Sequence, residues 1–149
     1  MIRCLKHVGL GVRDLDRSLE FYRDFLGMEV LIEIDASDDR IGRIIGKPCA
    51  RCRIVHLRRG EGVLELLQYY RPVGESIAAK TQQWDQGLIH MGFDVTDIHK
   101  HVEELKKRNI EFLGELVEFR AGVWIVYFRG PDGEIIEFRQ LPEHETNSK

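Results

Sequence analysis

The chain reads as an α+β protein made of two βαβββ modules in tandem. Three observations predict this. The segment His7-Val8-Gly9-Leu10-Gly11-Val12-Arg13-Asp14-Leu15 returns 83 positions later as His90-Met91-Gly92-Phe93-Asp94-Val95-Thr96-Asp97-Ile98. A second pair, Leu64–Gln68 and Ile136–Gln140, recurs at an offset of 72. Between these markers the spacing of apolar residues changes from strand-like to helical and back, in the same order in each half. An internal repeat of this kind dictates the architecture.

Each element follows from its pattern. Residues 3–13 alternate, with Val8, Leu10 and Val12 on one side and His7, Gly9 and Gly11 on the other. Asp14 reads as a helix N-cap. Leu15, Ser18, Leu19, Tyr22 and Leu26 follow at helical spacing, and Gly27 is a C-terminal stop. A second strand spans 28–35. The segment 36–50, with Ser37-Asp38-Asp39 and Lys47-Pro48, reads as a loop. Strands over 51–58 and 62–70 flank a tight Arg59-Gly60-Glu61 turn.

The stretch 71–86 is polar and carries Pro72 and Gly74, so it is the expected linker, with a short helix near Ser76–Trp84. The second half repeats the order: a strand over 87–95, an Asp97-capped helix through Ile98, Val102 and Leu105, and a stop at Asn109. Strands over 110–119, 122–129 and 134–140 complete it, the last two joined by the turn Gly130-Pro131-Asp132-Gly133. The chain is therefore read as one domain over 1–149, with modules at about 1–70 and 87–141 and a polar, frayed tail over 142–149.

One helix covers only one face of a sheet. The apolar residues of each opening strand must pack under that helix, which sends His7 and His90 to the other face. The same alternation opposes Glu65 to Leu64 and Leu66, and Glu137 to Ile136 and Phe138. A glycine two residues after each histidine leaves that open face clear of side chains. Two imidazoles and two carboxylates at symmetric places form a ligand set for a borderline divalent ion, and apolar strands rarely carry uncompensated carboxylates. His7, Glu65, His90 and Glu137 are thus the expected metal ligands. Zn, Ni, Co, Fe or Mn each suit such a set, and ligand type alone does not choose among them.

Other side chains are read with less weight. Trp124 and Tyr127 fall on opposite faces of the strand before the last, so one of them lines the open face. Arg139 shares a face with Glu137 and could hold a carboxylate or phosphate. His56, His99, His101 and His144 have no repeat partner. Arg51, Arg53, Arg58 and Arg59 form a basic run that reads as a solvated edge or as a handle for an acidic cofactor. Three cysteines, Cys4, Cys49 and Cys52, include a lone CxxC and read as reduced thiols.

Composition bounds the partners. With 32% charged residues, 43% hydrophobic residues and a formal net charge of -3, there is no electrostatic case for nucleic acid or an anionic membrane. No apolar run approaches the ~20 residues of a membrane span. The N-terminus has no signal-peptide pattern, so a cytoplasmic protein is expected.

The His-Val-Gly-Leu start, the helix ending Phe21-Tyr22-Arg23-Asp24-Phe25-Leu26-Gly27-Met28 and the Pro131-Asp132-Gly133…Glu137-Phe138 ending resemble the vicinal oxygen chelate superfamily over residues 3–140. The resemblance implies paired βαβββ modules forming an open, concave eight-stranded mixed sheet or barrel, frequently in a homodimer. It implies metal ligands at His7, Glu65, His90 and Glu137.

Glutamate at the second of these positions is similar to glyoxalase I, which isomerises a hemithioacetal of methylglyoxal and glutathione. Such a lyase uses the ion to bind vicinal oxygens and stabilise an enediolate, while a carboxylate shuttles the proton. Glu137 and then Glu65 are the expected shuttles. The second strand, Met28–Ile34, lacks the arginine that small glyoxalases use for glutathione.

Gly74–Lys80 and Gly87–Val95 are similar to methylmalonyl-CoA epimerase, the alternative reading. An Fe(II) extradiol dioxygenase and a non-enzymatic drug-binding protein of the bleomycin-resistance kind are the remaining alternatives. In each case the partner is a small molecule.

Overall fold

The computed structural model describes residues 1–146. The chain divides into two compact units, Met1–Ser76 and Ile77–Lys149, with the boundary inside the expected linker. Each unit carries a four-stranded mixed sheet, which is the βαβββ pattern expected from the repeat.

In the first unit β1 (Val8–Gly11) pairs in parallel with β4 (Gly62–Arg71). Strands β3 (Arg51–Arg59) and β2 (Glu29–Ala36) continue the sheet antiparallel, giving the order β1-β4-β3-β2. Helix α1 (Leu15–Leu19) starts at Asp14, whose Oδ1 accepts the N–H groups of Asp16 and Arg17. It continues through Glu20–Phe25 with wider, π-type hydrogen bonding, as in Leu26 N–H to Phe21 O. Leu15, Leu19 and Tyr22 of this helix are buried with Val55, Leu57, Leu64 and Leu66 of the sheet. The apolar sides of the strands therefore do face the helix.

The second unit repeats the scheme with β5 (His90–Asp94), β6 (Val117–Arg120), β7 (Val123–Arg129) and β8 (Ile135–Gln140) in the order β5-β8-β7-β6. Its core gathers Ile98, Val102 and Leu105 of α3 (Ile98–Lys107) with Val126, Phe128, Ile136 and Phe138. Phe128 and Phe138 meet edge to face at 4.8 Å.

A shared device anchors the two helices. Gln68 Oε1 accepts the Leu15 N–H at 3.0 Å, and Gln140 Oε1 accepts the Ile98 N–H at 2.8 Å. These glutamines end the two repeated pentapeptides. Asp97 does not cap α3 as expected: it takes a left-handed conformation and its side chain makes no cap bond. Gln140 supplies the acceptor instead.

Three expectations change in detail. The segment 36–50 contains a helix, α2 (Asp39–Ile45), bounded by Asp38 as N-cap and Gly46. Seven residues are too few to display a helical period, so only these end signals marked it. Ile41 of α2 buries against Ala50 and Cys52, beside Ile54 and Tyr69. Second, the strand expected over 110–119 is reduced to β6 plus a bridge between Phe112 and Phe128, because the chain leaves the ladder around Gly114. Third, the expected frayed tail begins with α4 (Glu143–Thr146), where Glu145 pairs with Arg120 at 2.6 Å. The end of the tail, 147–149, lies outside the described residues.

Among the described residues no helix is long and apolar enough to cross a membrane.

Candidate functional site

Each unit brings one expected histidine onto one expected glutamate. In the first, His7 sits one residue before β1, and its Nε2 lies 3.5 Å from Glu65 Oε2. In the second, His90 opens β5, and its Nε2 lies 3.1 Å from Glu137 Oε2. Parallel register accounts for both pairs, since Gly9 lies beside Glu65 and Gly92 beside Glu137. The side chains of Glu65 and Glu137 are only 19% and 13% exposed, so each carboxylate needs a partner.

The two glycines make room for these carboxylates. A Cβ on Gly9 would stand 3.4 Å from Glu65 Oε2, and one on Gly92 would stand 3.8 Å from Glu137 Oε2. Larger side chains there would crowd the oxygens that face the histidines.

Each glutamate has a further neighbour across its hairpin. His56 is the register partner of Glu65, and its Nε2 lies 2.8 Å from Oε1. Tyr127 is the register partner of Glu137, and its hydroxyl donates to Oε2 at 3.3 Å. His56 therefore does have a counterpart in the repeat, although of a different residue type. Its place was legible, because the tight turn at Gly60-Glu61 pairs Arg59 with Gly62 and so sets His56 against Glu65. The rings of His7 and His56 are 5.2 Å apart, and those of His90 and Tyr127 are 5.4 Å apart. Burial, and next to it the Glu137 carboxylate, push the Tyr127 hydroxyl above the ordinary tyrosine range.

The remaining candidates are placed as follows. Trp124 lies away from Glu137, with its ring against His99 at 4.8 Å. Arg139 bonds Asp94 Oδ1 at 2.8 Å on the neighbouring strand, on the same face as Glu137. The basic run is engaged inside its own unit. Arg53 bridges Asp16 and Glu33, Arg58 pairs with Glu29, Arg59 donates to Gly27 O, and Arg51 donates to Ser37 O. Cys4 and Cys49 are exposed, while burial pushes the Cys52 thiol above the ordinary range.

Sequence reasoning missed Gln83, whose Nε2 lies 3.0 Å from His90 Nδ1. It stands in the expected linker, where the short helix expected near Ser76–Trp84 is reduced to a 3-10 turn at Ala78–Lys80. Among the described residues no three His, Cys, Asp or Glu side chains gather in an arrangement that could hold a metal ion. What each unit does supply is a nitrogen and carboxylate oxygens turned toward one another, a donor chemistry that fits a borderline divalent cation.

The family model of the Glyoxalase/Bleomycin resistance protein/Dioxygenase superfamily matches residues 5–138. The chain belongs to this superfamily. A 2-epi-5-epi-valiolone epimerase of Actinomyces is 30% identical over 91% of this chain and 78% of its own length. Glyoxalase I of Saccharomyces cerevisiae is 29% identical over 89% of this chain and 43% of its own length. A glyoxalase-family protein of Bacillus cereus shares the fold, with a TM-score of 0.87 at 22% identity, covering 95% of this chain and 97% of that one. The superfamily resemblance carried by the sequence motifs thus holds for nearly the whole chain.

Proposed function

We propose that this superfamily member is a metal-dependent lyase or isomerase of the glyoxalase I type. The observation that carries the reading is the repeated histidine–glutamate pair, with Nε2-to-carboxylate distances of 3.5 and 3.1 Å in the two units. His7 and Glu65 of the first unit, and His90 and Glu137 of the second, are the residues this reading assigns as ligands of a divalent ion. When bound, such an ion polarises two neighbouring oxygens of a substrate.

The proton work falls to a carboxylate. Glu137 suits this better than Glu65. The contacts of Glu137 to His90 and Tyr127 both fall on Oε2, whereas Glu65 is engaged through both oxygens by His7 and His56. A carboxylate held through one oxygen can swing to accept a substrate proton and return it. Tyr127 steadies Glu137 by donating to it.

A second reading, an epimerase acting on a proton beside a carbonyl, draws support from β2. That strand carries Glu29, Glu33 and Asp35 and no basic residue, which offers no cationic clamp for the carboxylates of glutathione. The match to an epimerase at 30% identity points the same way.

The test is metal analysis of tag-free protein followed by two assays on the loaded protein. A stoichiometric divalent ion, absent from Glu65→Ala and His90→Ala, is expected. Isomerisation of the methylglyoxal–glutathione hemithioacetal would support the lyase. Solvent deuterium exchange into a thioester or cyclitol ketone, without hemithioacetal turnover, would favour the epimerase. Failure to bind any of Zn, Ni, Co, Mn or Fe would overturn both.

A further inference from the structure

We propose that Gln83 is the positioning residue of His90, its side-chain amide selecting which ring nitrogen of that histidine is free to take a metal ion. The inference rests on the reading of His90 as a ligand.

Two observations carry it. Gln83 Nε2 lies 3.0 Å from His90 Nδ1, while Gln83 Oε1 is buried with no hydrogen-bond partner among the described residues. An amide nitrogen only donates, so Nδ1 must accept, and the ring proton then sits on Nε2. Nε2 lies 3.1 Å from Glu137 Oε2.

A cation on Nε2 requires the other tautomer. The proton moves to Nδ1, which then needs an acceptor. Gln83 carries one. Its oxygen holds no other bond among the described residues, so turning the amide end for end sacrifices no bond of Oε1. The two ends of the amide are nearly equal in volume, so the turn needs no repacking.

The backbone bearing Gln83 is held in place. Arg129 Nη1 donates to Thr81 O and Gly133 O at 2.8 Å each, and to Ala78 O at 3.4 Å. Gly133 lies so close that a Cβ on it would stand 2.6 Å from Ala79 Cα. The turn at Gln82 is closed by Asp85 Oδ2, which accepts the Gln82 N–H at 2.7 Å. The stretch after the unit boundary is thus a fitted part of the second unit that delivers Gln83 to His90.

The experiment combines Co2+ affinity with 15N NMR of the histidine rings. In metal-free protein His90 is expected to carry its proton on Nε2, and on Nδ1 once the ion is added. Gln83→Leu should keep the thermal midpoint and lower Co2+ affinity about 10- to 100-fold. Gln83→Glu, whose carboxylate accepts from Nδ1–H, should retain the affinity. If Gln83→Leu binds like the wild type while His90→Ala does not, the role of Gln83 is overturned and the metal reading stands. Equal losses in Gln83→Leu and Gln83→Glu also overturn it. If His90→Ala binds like the wild type, the metal reading falls and takes the inference with it.

Discussion

His56 Nε2 lies 2.8 Å from Oε1 of Glu65, directly across the β3–β4 hairpin. The contact holds one oxygen of Glu65 while His7 meets the other. Replacing His56 by phenylalanine keeps an aromatic ring and strips that oxygen of its partner. His56→Phe is expected to lower metal affinity or kcat/KM by about tenfold, the lower end of what loss of a ligand's supporting partner costs. Calorimetric titration with Zn2+ and steady-state kinetics would measure it. An unchanged affinity would show that Glu65 is oriented without His56.

The glutamines that end the repeated pentapeptides should matter unequally. Gln68 accepts from Leu15 N–H and also donates to Arg13 O, each at 3.0 Å, whereas the Gln140 contact to α3 is a single bond at 2.8 Å. Gln68→Leu is expected to cost about 1–2 kcal/mol and Gln140→Leu about 0.5–1.5 kcal/mol. Urea unfolding at neutral pH gives both values. Wild-type stability in both variants would mean that water caps these helices as well as the side chains do.

Tyr127 links stability to alkaline pH. Its hydroxyl is pushed above the tyrosine range, so the folded state favours the protonated form. That contribution is complete below the unfolded value of about 10 and is lost as pH rises through the raised folded value. Tyr127→Phe should cost about 0.5–1.5 kcal/mol at neutral pH, from the lost bond to Glu137. The gap to wild type should narrow above pH about 10. A gap that stays constant from neutral to strongly alkaline pH would contradict this account.

Gly133→Ala tests the docking of the stretch before His90. Gly133 has φ +88, and its missing Cβ would collide with Ala79 backbone at 2.6 Å. The variant is expected to lose more than about 1 kcal/mol, since alanine tolerates neither the dihedral nor the contact. Hydrogen exchange should quicken at Lys80 and Thr81, whose N–H groups bond Ile77 O and Ala78 O. Unchanged protection there would show that the Gly133–Ala79 approach does not hold the turn.

The repeat by itself determined the two βαβββ units, the helix-facing sides of β1, β4, β5 and β8, and the residues His7, Glu65, His90 and Glu137. Strand alternation has a period of two, so a residue's face follows from its place in the string. Apart from His56, whose place against Glu65 follows from the tight turn at Gly60-Glu61, only the tertiary structure decided what stands beside those residues. Gln83 reaches His90 because Arg129 gathers carbonyls from Ala78, Thr81 and Gly133, parts of the chain that no local pattern joins. Gln140, rather than Asp97, meets the start of α3 because parallel pairing of β5 with β8 brings it there. Helix α2 escaped notice because a seven-residue helix shows too little of its period, and its burial against Cys52 and Tyr69 exists only after β3 and β4 have paired. Period is a property of neighbours in sequence; capping, anchoring and the partner of a buried carboxylate depend on neighbours in space.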